Sequence, residues 1–360
     1  MPGRIFSFFV LLFLINPIAS AQEVQIGVLG LFHPRQITVG NAKGEAVVIR
    51  ANDREFVLED GPRTNIARIE VAGDALLLDF GGHVVHAAEI RAAGRNGRAA
   101  DFVLAVPGRI SRKYHGTLAV KAVGGVVVPI VTMDLETAVA SVVEAESAAD
   151  APPEALKAQA VVTRSYFTAG KGRHHDFDFC DLTHCQFLRE PPNPESPAAI
   201  ATSATHGLVI LFEEKPIAAM FTRSCGGHTR TPAELGIPSN AYPYFSALCD
   251  FCYKKPVRWT RRISEQEAER LLGKGEVGRL AVDRRLGWNA IPSNNFTAHK
   301  EDGAVILKGA GQGHGVGLCQ RGAKAMAEGG AGFRKIISHY FSNTALTSLQ
   351  VPPGTSRSPE

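Results

Sequence analysis

The chain lacks the long apolar runs and the charge blocks that mark two large classes of protein. Beyond residue 15, no apolar run reaches the length of a transmembrane helix, which argues against a protein that crosses the membrane several times. There is no block of like charge and no interleaving of basic and aromatic residues, so nucleic acid is not an expected partner. The formal net charge is +4, and it becomes +3 if Arg4 is removed with the first residues. That excess is too small to argue for nucleic acid.

Phosphate-binding motifs and internal repeats are also absent from the sequence. The glycine-rich stretch 309–317 matches neither G-x-x-x-x-G-K-[ST] nor G-x-G-x-x-G, so it is not expected to bind a nucleotide phosphate. Glycine at these positions instead favours a close approach of the backbone to a ligand.

The first 179 residues of the chain contain no cysteine. The six cysteines lie from the midpoint onward: Cys180, Cys185, Cys225, Cys249, Cys252 and Cys319. An even number of cysteines in an exported protein first suggests disulfides. The Cys249-x-x-Cys252 pair is either a local disulfide or half of a larger site, and it lacks the βαβ context of a thioredoxin-like redox motif.

The first 21 residues have the pattern of an export signal. Arg4 provides the positive charge, an apolar run follows over 6–15, and Ala19-Ser20-Ala21 is a small-residue cleavage site. We therefore expect an exported protein that begins at Gln22 and acts in the periplasm or the cell-wall space. A retained membrane anchor is the alternative.

The pattern of apolar residues and turns predicts an α+β fold. Residues 22–110 contain short alternating runs separated by glycine, proline, asparagine and aspartate, which predicts a β-rich N-terminal domain. Residues 111–345 are expected to form a mixed α/β catalytic domain, and residues 346–360 a disordered tail. In the mixed domain we predict helices over 135–146, 154–169, 264–272 and 320–328. Predicted strands cover 114–122, 126–131, 200–212, 217–223 and 304–308.

One glutamate interrupts the apolar face of the first predicted helix. The i, i+4, i+7 and i+11 spacing of Leu135, Val139, Val142 and Glu146 places them on one helix face. Glu144 points to roughly the opposite side. A carboxyl group on an apolar face either finds a partner or keeps its proton, and a raised pKa suits a general acid. The alternative is an exposed glutamate at a frayed helix end.

Four motifs, in order, resemble those of the stage II sporulation protein D family, also called the amidase-enhancer (LytB) family. Residues 154–166 are similar to its E-A-L-K-A-Q-A-x-x-x-R-[ST]-[YF] helix, eight residues after Glu146. Residues 180–186, C-D-L-T-H-C-Q, resemble its C-D-x-T-H-C-Q segment. Residues 224–229 are similar to its S-C-G-G-x-T turn, and residues 313–323 to its G-H-G-V-G-[ML]-S-Q-x-G-A signature. The resemblance runs from about Tyr114 to Tyr340.

The resemblance implies a peptidoglycan lytic transglycosylase with Glu146 as its single general acid/base. Such an enzyme cleaves glycan strands to 1,6-anhydro-muramic acid ends, because the sugar's own 6-hydroxyl replaces water. The residues expected to bind the glycan are Lys157, Gln159, Arg164, Gln186, Ser224, Gly226, Gly227, Gly313, His314, Gly315 and Gln320. The family's second name suggests a different class, a non-catalytic wall-binding protein that stimulates an amidase, and an amidase or another wall-remodelling protein is a possible partner in either case.

The resemblance also implies zinc held by His174, Cys180 and Cys185, with His175 and His184 nearby. Imidazole and thiolate ligands at this short spacing suit tetrahedral zinc. A disulfide between Cys180 and Cys185, or between one of them and Cys225, is the alternative.

The chain departs from the family pattern at a few positions. Ser147-Ala148 stands where members often have Met-Pro after the glutamate. Gln312 and Arg321 stand where tryptophans occur, which removes aromatic contacts with the sugar. A Cys–His nucleophile, Cys225 with His228 or Cys319 with His314, is a rival enzyme hypothesis that lacks a third orienting group.

Overall fold

The computed structural model describes residues 22–42, 46–61, 64–235, 242–272 and 290–349. The predicted export signal, residues 1–21, lies outside the described residues. Within the described part of the chain, no helix is both long and apolar enough to span a membrane.

The first half of the described chain is almost entirely β-structure, as the sequence predicts. Its strands are β1 Glu23–Gly27, β2 Gln36–Asn41, β3 Val47–Ala51, β4 Arg54–Leu58, β5 Ile66–Ala72, β6 Ala75–Phe80, β7 His83–Ala87, β8 Glu89–Gly94, β9 Ala100–Val106, β10 Ile110–Val123 and β11 Val126–Asp134.

Helices and short strands alternate in the second half. The helices are α1 Leu135–Glu146, α2 Pro153–Ala169, α3 Pro197–Ala204, α4 Asp250–Lys254, α5 Glu265–Leu272, α6 Gln320–Glu328 and α7 Phe333–Tyr340. The strands are β12 Phe179–Cys180, β13 Leu208–Phe212, β14 Lys215–Pro216, β15 Phe221–Thr222, β16 Arg258–Ser264, β17 Phe296–Glu301, β18 Ala304–Ala310, β19 Leu318–Cys319 and β20 Ala345–Ser348. The predicted α+β class is therefore correct.

A curled 12-stranded sheet, β1–β12, forms the largest part of the molecule. Its central strand β10 changes partners along its length: the first part pairs with β9, and the second with both β8 and β11. The change comes at Gly116, whose φ is +155°. A Cβ atom there would lie 2.3 Å from the carbonyl oxygen of Thr132, so only glycine fits at this crossing of strands.

The predicted domain boundary at residue 110 falls at the start of β10. Because β10 bonds to strands on both sides, the β-rich segment and the segment that follows share one sheet. One apolar core also includes both, from Val24 through Phe102 to Val139 on α1. The division into two domains remains a prediction.

The sheet leads directly into helix α1. Asp134, the last residue of β11, caps α1 by accepting hydrogen bonds from the backbone N–H groups of Glu136 and Thr137, at 2.9 and 3.2 Å. Leu135, Val139 and Val142 on the predicted apolar face are buried against the sheet. The helix therefore has both the bounds and the orientation that its sequence predicts.

Helix α2 is the centre of the second half and is buried on nearly all sides. Arg164 is fully buried and makes a bidentate ion pair with Glu136, with N···O distances of 2.7 and 2.6 Å. The guanidinium also donates hydrogen bonds to the carbonyl oxygens of Thr202 and Leu208. This network fixes α1, α2 and α3 relative to one another.

Two predictions about local structure are wrong. Residues 200–204, predicted as strand, belong to α3, since Ser196 caps the helix through the Ala199 N–H group and Pro197 occupies its first turn. The alanine-rich segment then favours a helix over a strand. The tail predicted to be disordered from residue 346 begins with strand β20, which pairs with β13 through Ser348. Residues 350–360 lie outside the described residues.

Candidate active site

Glu146 is the last residue of α1 and lies at the meeting point of three distant segments. Its Oε1 accepts a hydrogen bond from the Phe187 N–H group at 3.2 Å. Its carbonyl oxygen accepts two more, from Arg223 Nη1 at 3.3 Å and from Gln320 Nε2 at 3.1 Å. The glutamate is thus fixed in a defined geometry and is not on a frayed end, while Glu144 is exposed.

Burial raises the pKa of the Glu146 carboxyl above its ordinary value of 4.5. The hydrogen bond from Phe187 and the charges of Arg223 and Arg189 oppose that effect and only partly cancel it. Among the described residues, no acidic group contributes to this shift. A lone, partly desolvated carboxyl that holds its proton to higher pH can act as a general acid.

A cavity of about 430 Å³ opens beside the end of α1. This volume is in the range of small-ligand sites. Its lining includes amide, cationic and aromatic side chains: Gln159, Gln312, Gln320, Arg223, Arg321 and Phe251. Ser147 and Ala148 also line it, whereas Glu146 itself does not. The hydrogen bonds from Arg223 and Gln320 place Glu146 directly behind the cavity wall.

Two of the predicted glycan-binding side chains reach this cavity. Gln159 on α2 and Gln320 at the start of α6 both line it, and Gln320 Nε2 lies 3.4 Å from Gln159 Oε1. Paired amides of this kind present donors and acceptors that match sugar hydroxyls.

Arg164, also predicted to bind glycan, instead has a structural role. Its side chain has no solvent-exposed surface and its donors are used by Glu136 and two carbonyl groups, so its predicted contact with glycan is wrong. Lys157 forms an ion pair with Glu154 at 2.6 Å and does not line the cavity.

Most of the other predicted contacts shape loops near the cavity without lining it. Ser224 is buried and pairs with Gln312 through backbone hydrogen bonds of 3.0 and 2.8 Å. Gly226 and Gly227 have φ values of +79° and +138°, and Gly313 and Gly315 have +93° and +80°. His314 Nδ1 accepts a hydrogen bond from the Val316 N–H group within its own loop. The amide of Gln186 is buried next to Phe187 and has no hydrogen-bond partner among the described residues.

The structure brings together the three predicted metal ligands and adds a fourth. The ligand atoms of His174, Cys180, His184 and Cys185 all lie within 4.8 Å of one another. His174 Nε2 is 3.3 Å from Cys185 Sγ, and His184 Nδ1 is 3.5 and 3.8 Å from the two sulfurs. Tetrahedral zinc with ordinary bond lengths separates N and S ligands by roughly 3.5 Å. This donor set fits zinc, and zinc binding here remains a prediction.

This Cys–His loop is connected to Glu146. Phe187, whose N–H group holds the Glu146 carboxylate, follows Cys185 by two residues. On its other side, the loop is joined to the sheet because β12 pairs with β1 and buried Asp181 accepts a hydrogen bond from the Leu29 N–H group. A stable loop therefore fixes the position of the catalytic candidate.

Comparison with known proteins identifies a family model and several relatives that share sequence with this chain. Residues 124–212 match the family model of the stage II sporulation protein. Stage II sporulation protein D of Bacillus amyloliquefaciens is 25% identical over 266 residues, which cover 59% of this chain and 74% of that protein. The amidase enhancer of Bacillus subtilis (strain 168) is 38% identical over 63 residues, which are 18% of this chain and 9% of that protein. Within residues 124–212, the chain is thus similar to the stage II sporulation protein D family.

The family match includes Glu146, helix α2 and the Cys–His loop. A further relative is an uncharacterized protein of Brachyspira hyodysenteriae (strain ATCC 49526 / WA1), 27% identical over 268 residues, 65% of this chain and 72% of that protein. Members of the stage II sporulation protein D family are cell-wall related. The family resemblance predicted from four sequence motifs is therefore confirmed.

Three contributors to the site could not be identified from the sequence. Arg223 lies outside the four motifs and donates a hydrogen bond to the backbone carbonyl of Glu146. Phe187 contributes only its backbone N–H group, which no side-chain pattern can indicate. Phe251 gives the cavity an aromatic wall, and the guanidinium of Arg321 lies 5.3 Å from its ring centroid. Phe251 thus offers the aromatic surface that the changes at positions 312 and 321 remove.

The Cys–His nucleophile hypothesis finds no support in the structure. Cys225 and Cys319 are both buried and lie in a group with Cys249 and Cys252. His228, its proposed partner, is exposed, and His314 Nδ1 is bonded within its own loop. Because Cys225 belongs to this second group, its predicted alternative pairing with Cys180 or Cys185 is also wrong.

Proposed function

We propose that the protein is an exported peptidoglycan lytic transglycosylase with Glu146 as its single general acid/base. The observation that carries this proposal is the position of Glu146. It is a partly buried carboxyl with a raised pKa, on the residue that directly precedes Ser147 and Ala148 of the cavity wall. The similarity to a cell-wall-related family does not depend on this proposal.

The reaction needs two proton transfers at one carboxyl group. Protonated Glu146 donates its proton to the glycosidic oxygen as the bond from that oxygen to C1 of muramic acid breaks. The carboxylate then accepts the proton of the sugar's 6-hydroxyl as that oxygen bonds to C1. The products are a free hydroxyl on the leaving sugar and a 1,6-anhydro ring, and no water is consumed.

The charge pattern around Glu146 supports a mechanism with one carboxylate. Ordinary glycosidases use two carboxyl groups that flank the bond. Here the charged groups that influence the Glu146 carboxyl, among the described residues, are Arg223 and Arg189. Their positive charges lower the pKa and so favour the carboxylate that forms after the first proton transfer.

The cavity chemistry supports a carbohydrate substrate. Gln159, Gln312 and Gln320 offer amide groups for sugar hydroxyls, and Phe251 offers a face for ring stacking. Arg223 and Lys324 can pair with the carboxylates of muramic acid and its stem peptide. A zinc ion held by His174, Cys180, His184 and Cys185 would stabilise the loop that carries Phe187 and would take no part in the proton transfers.

A second candidate function is a wall-binding protein that stimulates an amidase. It rests on the relative of 38% identity whose name is amidase enhancer. The two functions differ in whether they require Glu146, because stimulation of an amidase needs no acid at the end of α1.

Product analysis tests the proposed function. The mature protein, from Gln22, is incubated with intact peptidoglycan and with glycan strands freed of stem peptides, and the fragments are weighed by mass spectrometry. We expect fragments one water lighter than hydrolysis products, because each carries an anhydro end. Reducing ends would identify a hydrolase and would overturn the single-acid mechanism. An absence of fragments, together with stimulation of an added amidase, would favour the second candidate.

A further inference from the structure

Four cysteines that the proposed mechanism does not use converge beneath the cavity. Cys225 follows β15, Cys249 and Cys252 lie at the start and within α4, and Cys319 ends β19. Their four sulfur atoms all lie within 4.8 Å of one another. Their exposed fractions are only 4%, 2%, 0% and 0%. We call this group the four-cysteine cluster.

The separation of the sulfurs matches that of ligands around a single metal ion. Zinc–sulfur bonds of about 2.3 Å in a tetrahedron place the sulfurs about 3.8 Å apart. The Sγ atoms of Cys252 and Cys319 are 3.6 Å apart. Two disulfides would need two sulfur pairs at about 2.05 Å and would not require all four to converge. A multi-iron cluster would distribute its cysteines over different metal atoms and so separate them further.

Hydrogen-bond donors surround the sulfurs, as buried thiolates require. Cys319 Sγ accepts from the N–H groups of Cys225 and Gly322, each at 3.4 Å. The Tyr340 hydroxyl donates to Cys249 Sγ at 3.6 Å, and Ser224 Oγ lies 3.5 Å from Cys252 Sγ. Such bonds to the ligand sulfurs are typical of structural metal centres, because they offset the net negative charge of the site.

The backbone is also fitted closely around the cluster. A Cβ atom at Gly322 would lie 2.5 Å from Cys249 Sγ and 2.0 Å from the Tyr340 hydroxyl, so any side chain there would displace them. Gly322 lies in the first turn of α6, whose N-cap residue is Cys319. The dipole of this nine-residue helix adds favourable potential at that sulfur.

We propose that the four-cysteine cluster binds one structural zinc ion, distinct from the Cys–His loop. Four thiol protons leave on binding, and four thiolate bonds complete the tetrahedron without an open position for water or substrate. The ion joins three chain segments that are distant in sequence. Each segment carries a residue of the cavity wall within two positions of its ligand: Arg223, Phe251 and Gln320. Zinc at this position would therefore set the shape of the cavity from below.

The test separates the two metal sites by two matched double variants. One, Cys180→Ser/Cys185→Ser, removes the loop thiolates and leaves the four-cysteine cluster intact. The other, Cys249→Ser/Cys252→Ser, does the reverse. The mature proteins are purified without added metal from the compartment where they accumulate. Metal content, free thiols after denaturation and zinc-edge X-ray absorption are then measured.

We expect the loop variant to retain about one zinc per chain, with a sulfur-only shell at about 2.3 Å and four free thiols. The cluster variant should lose that zinc and the sulfur-only signal. Because loss of the cluster can also unfold the chain, the decisive result comes from the loop variant, whose cluster is unchanged. Absence of metal with no free thiols in the loop variant would show two disulfides and overturn the proposal, as would iron in place of zinc.

The outcome is independent of the proposed function. Glu146→Gln should contain as much zinc as the wild type, because Glu146 contacts no cysteine of the cluster. A catalytically inactive wild type that holds this zinc would refute the transglycosylase proposal alone.

Discussion

Replacement of Glu146 by glutamine is the most direct test of the proposed mechanism. The amide keeps the size of the side chain and can still accept the hydrogen bond from the Phe187 N–H group, which is 3.2 Å long in the wild type. The contacts of Arg223 and Gln320 are to the backbone carbonyl and do not depend on the side chain. We therefore expect a normal fold and a specific loss of proton transfer.

The size of the loss follows from the two steps that one group performs. General acid–base catalysis contributes ~10²–10⁴ in rate, and a group that serves both steps should lie at the upper end. That corresponds to about 5 kcal/mol of activation free energy, at about 1.4 kcal/mol for each factor of ten. The assay is the rate of release of anhydro-ended fragments under subsaturating substrate. Glu144→Gln, on the exposed side of the same helix, is the matched control and should retain wild-type activity. Comparable activity in Glu146→Gln and Glu144→Gln would refute the assignment of the acid.

Three further predictions use the same structure. The kcat/KM of the wild type should fall as pH rises through the raised pKa of Glu146, because the first step needs the protonated carboxyl. A pH–rate profile checks this, and a profile without that fall would contradict the mechanism. Because the pKa of Glu146 is raised in the folded state, its contribution to stability is fully present below pH 4.5 and is lost as pH rises through the folded-state pKa. Glu146→Gln should therefore gain stability relative to the wild type as pH increases, which urea unfolding at several pH values measures. Arg164→Ala should lower the free energy of unfolding by about 3–5 kcal/mol, because Glu136 loses its buried partner. Lys157→Ala, which removes a partly exposed ion pair, should lower it by about 1 kcal/mol or less. Equal losses of unfolding free energy would contradict the assigned roles.

The elements that carry the candidate acid could be predicted because their signals are local. The apolar spacing of α1 is contained in twelve residues, and α2 has proline at its start and Gly170 at its end. Glu146 can be identified as the candidate acid because it interrupts the apolar face of α1. Helix α3 differs from the predicted strand because its start is set by Ser196 and Pro197, which the apolar pattern from Ile200 onward does not include.

The rest of the site depends on contacts between distant residues. Arg164 lies in a motif and was expected to meet substrate, but its role is set by Glu136, 28 residues earlier. Cys225 and Cys319 are 94 positions apart, and only the folded chain shows that they share a cluster with Cys249 and Cys252. The sequence offers two signals, the restriction of all six cysteines to residue 180 and beyond and the Cys249-x-x-Cys252 spacing, and neither identifies the distant partners.

Strand β1 has a consequence for the order in which the molecule can assemble. It is the first described element, yet it lies between β11, about a hundred residues later, and β12. Just before β12, the Asp178 carboxylate accepts a hydrogen bond from the Gln25 N–H group, 153 positions away in the sequence. During synthesis, β1 has no strand partner until β11 has emerged, and its pairing is complete only when the chain through residue 181 has emerged. Contacts of such long sequence separation slow folding, since the loop must close before they form. The candidate acid, whose carboxyl is held by Phe187 in the segment after β12, should therefore be positioned only late in folding.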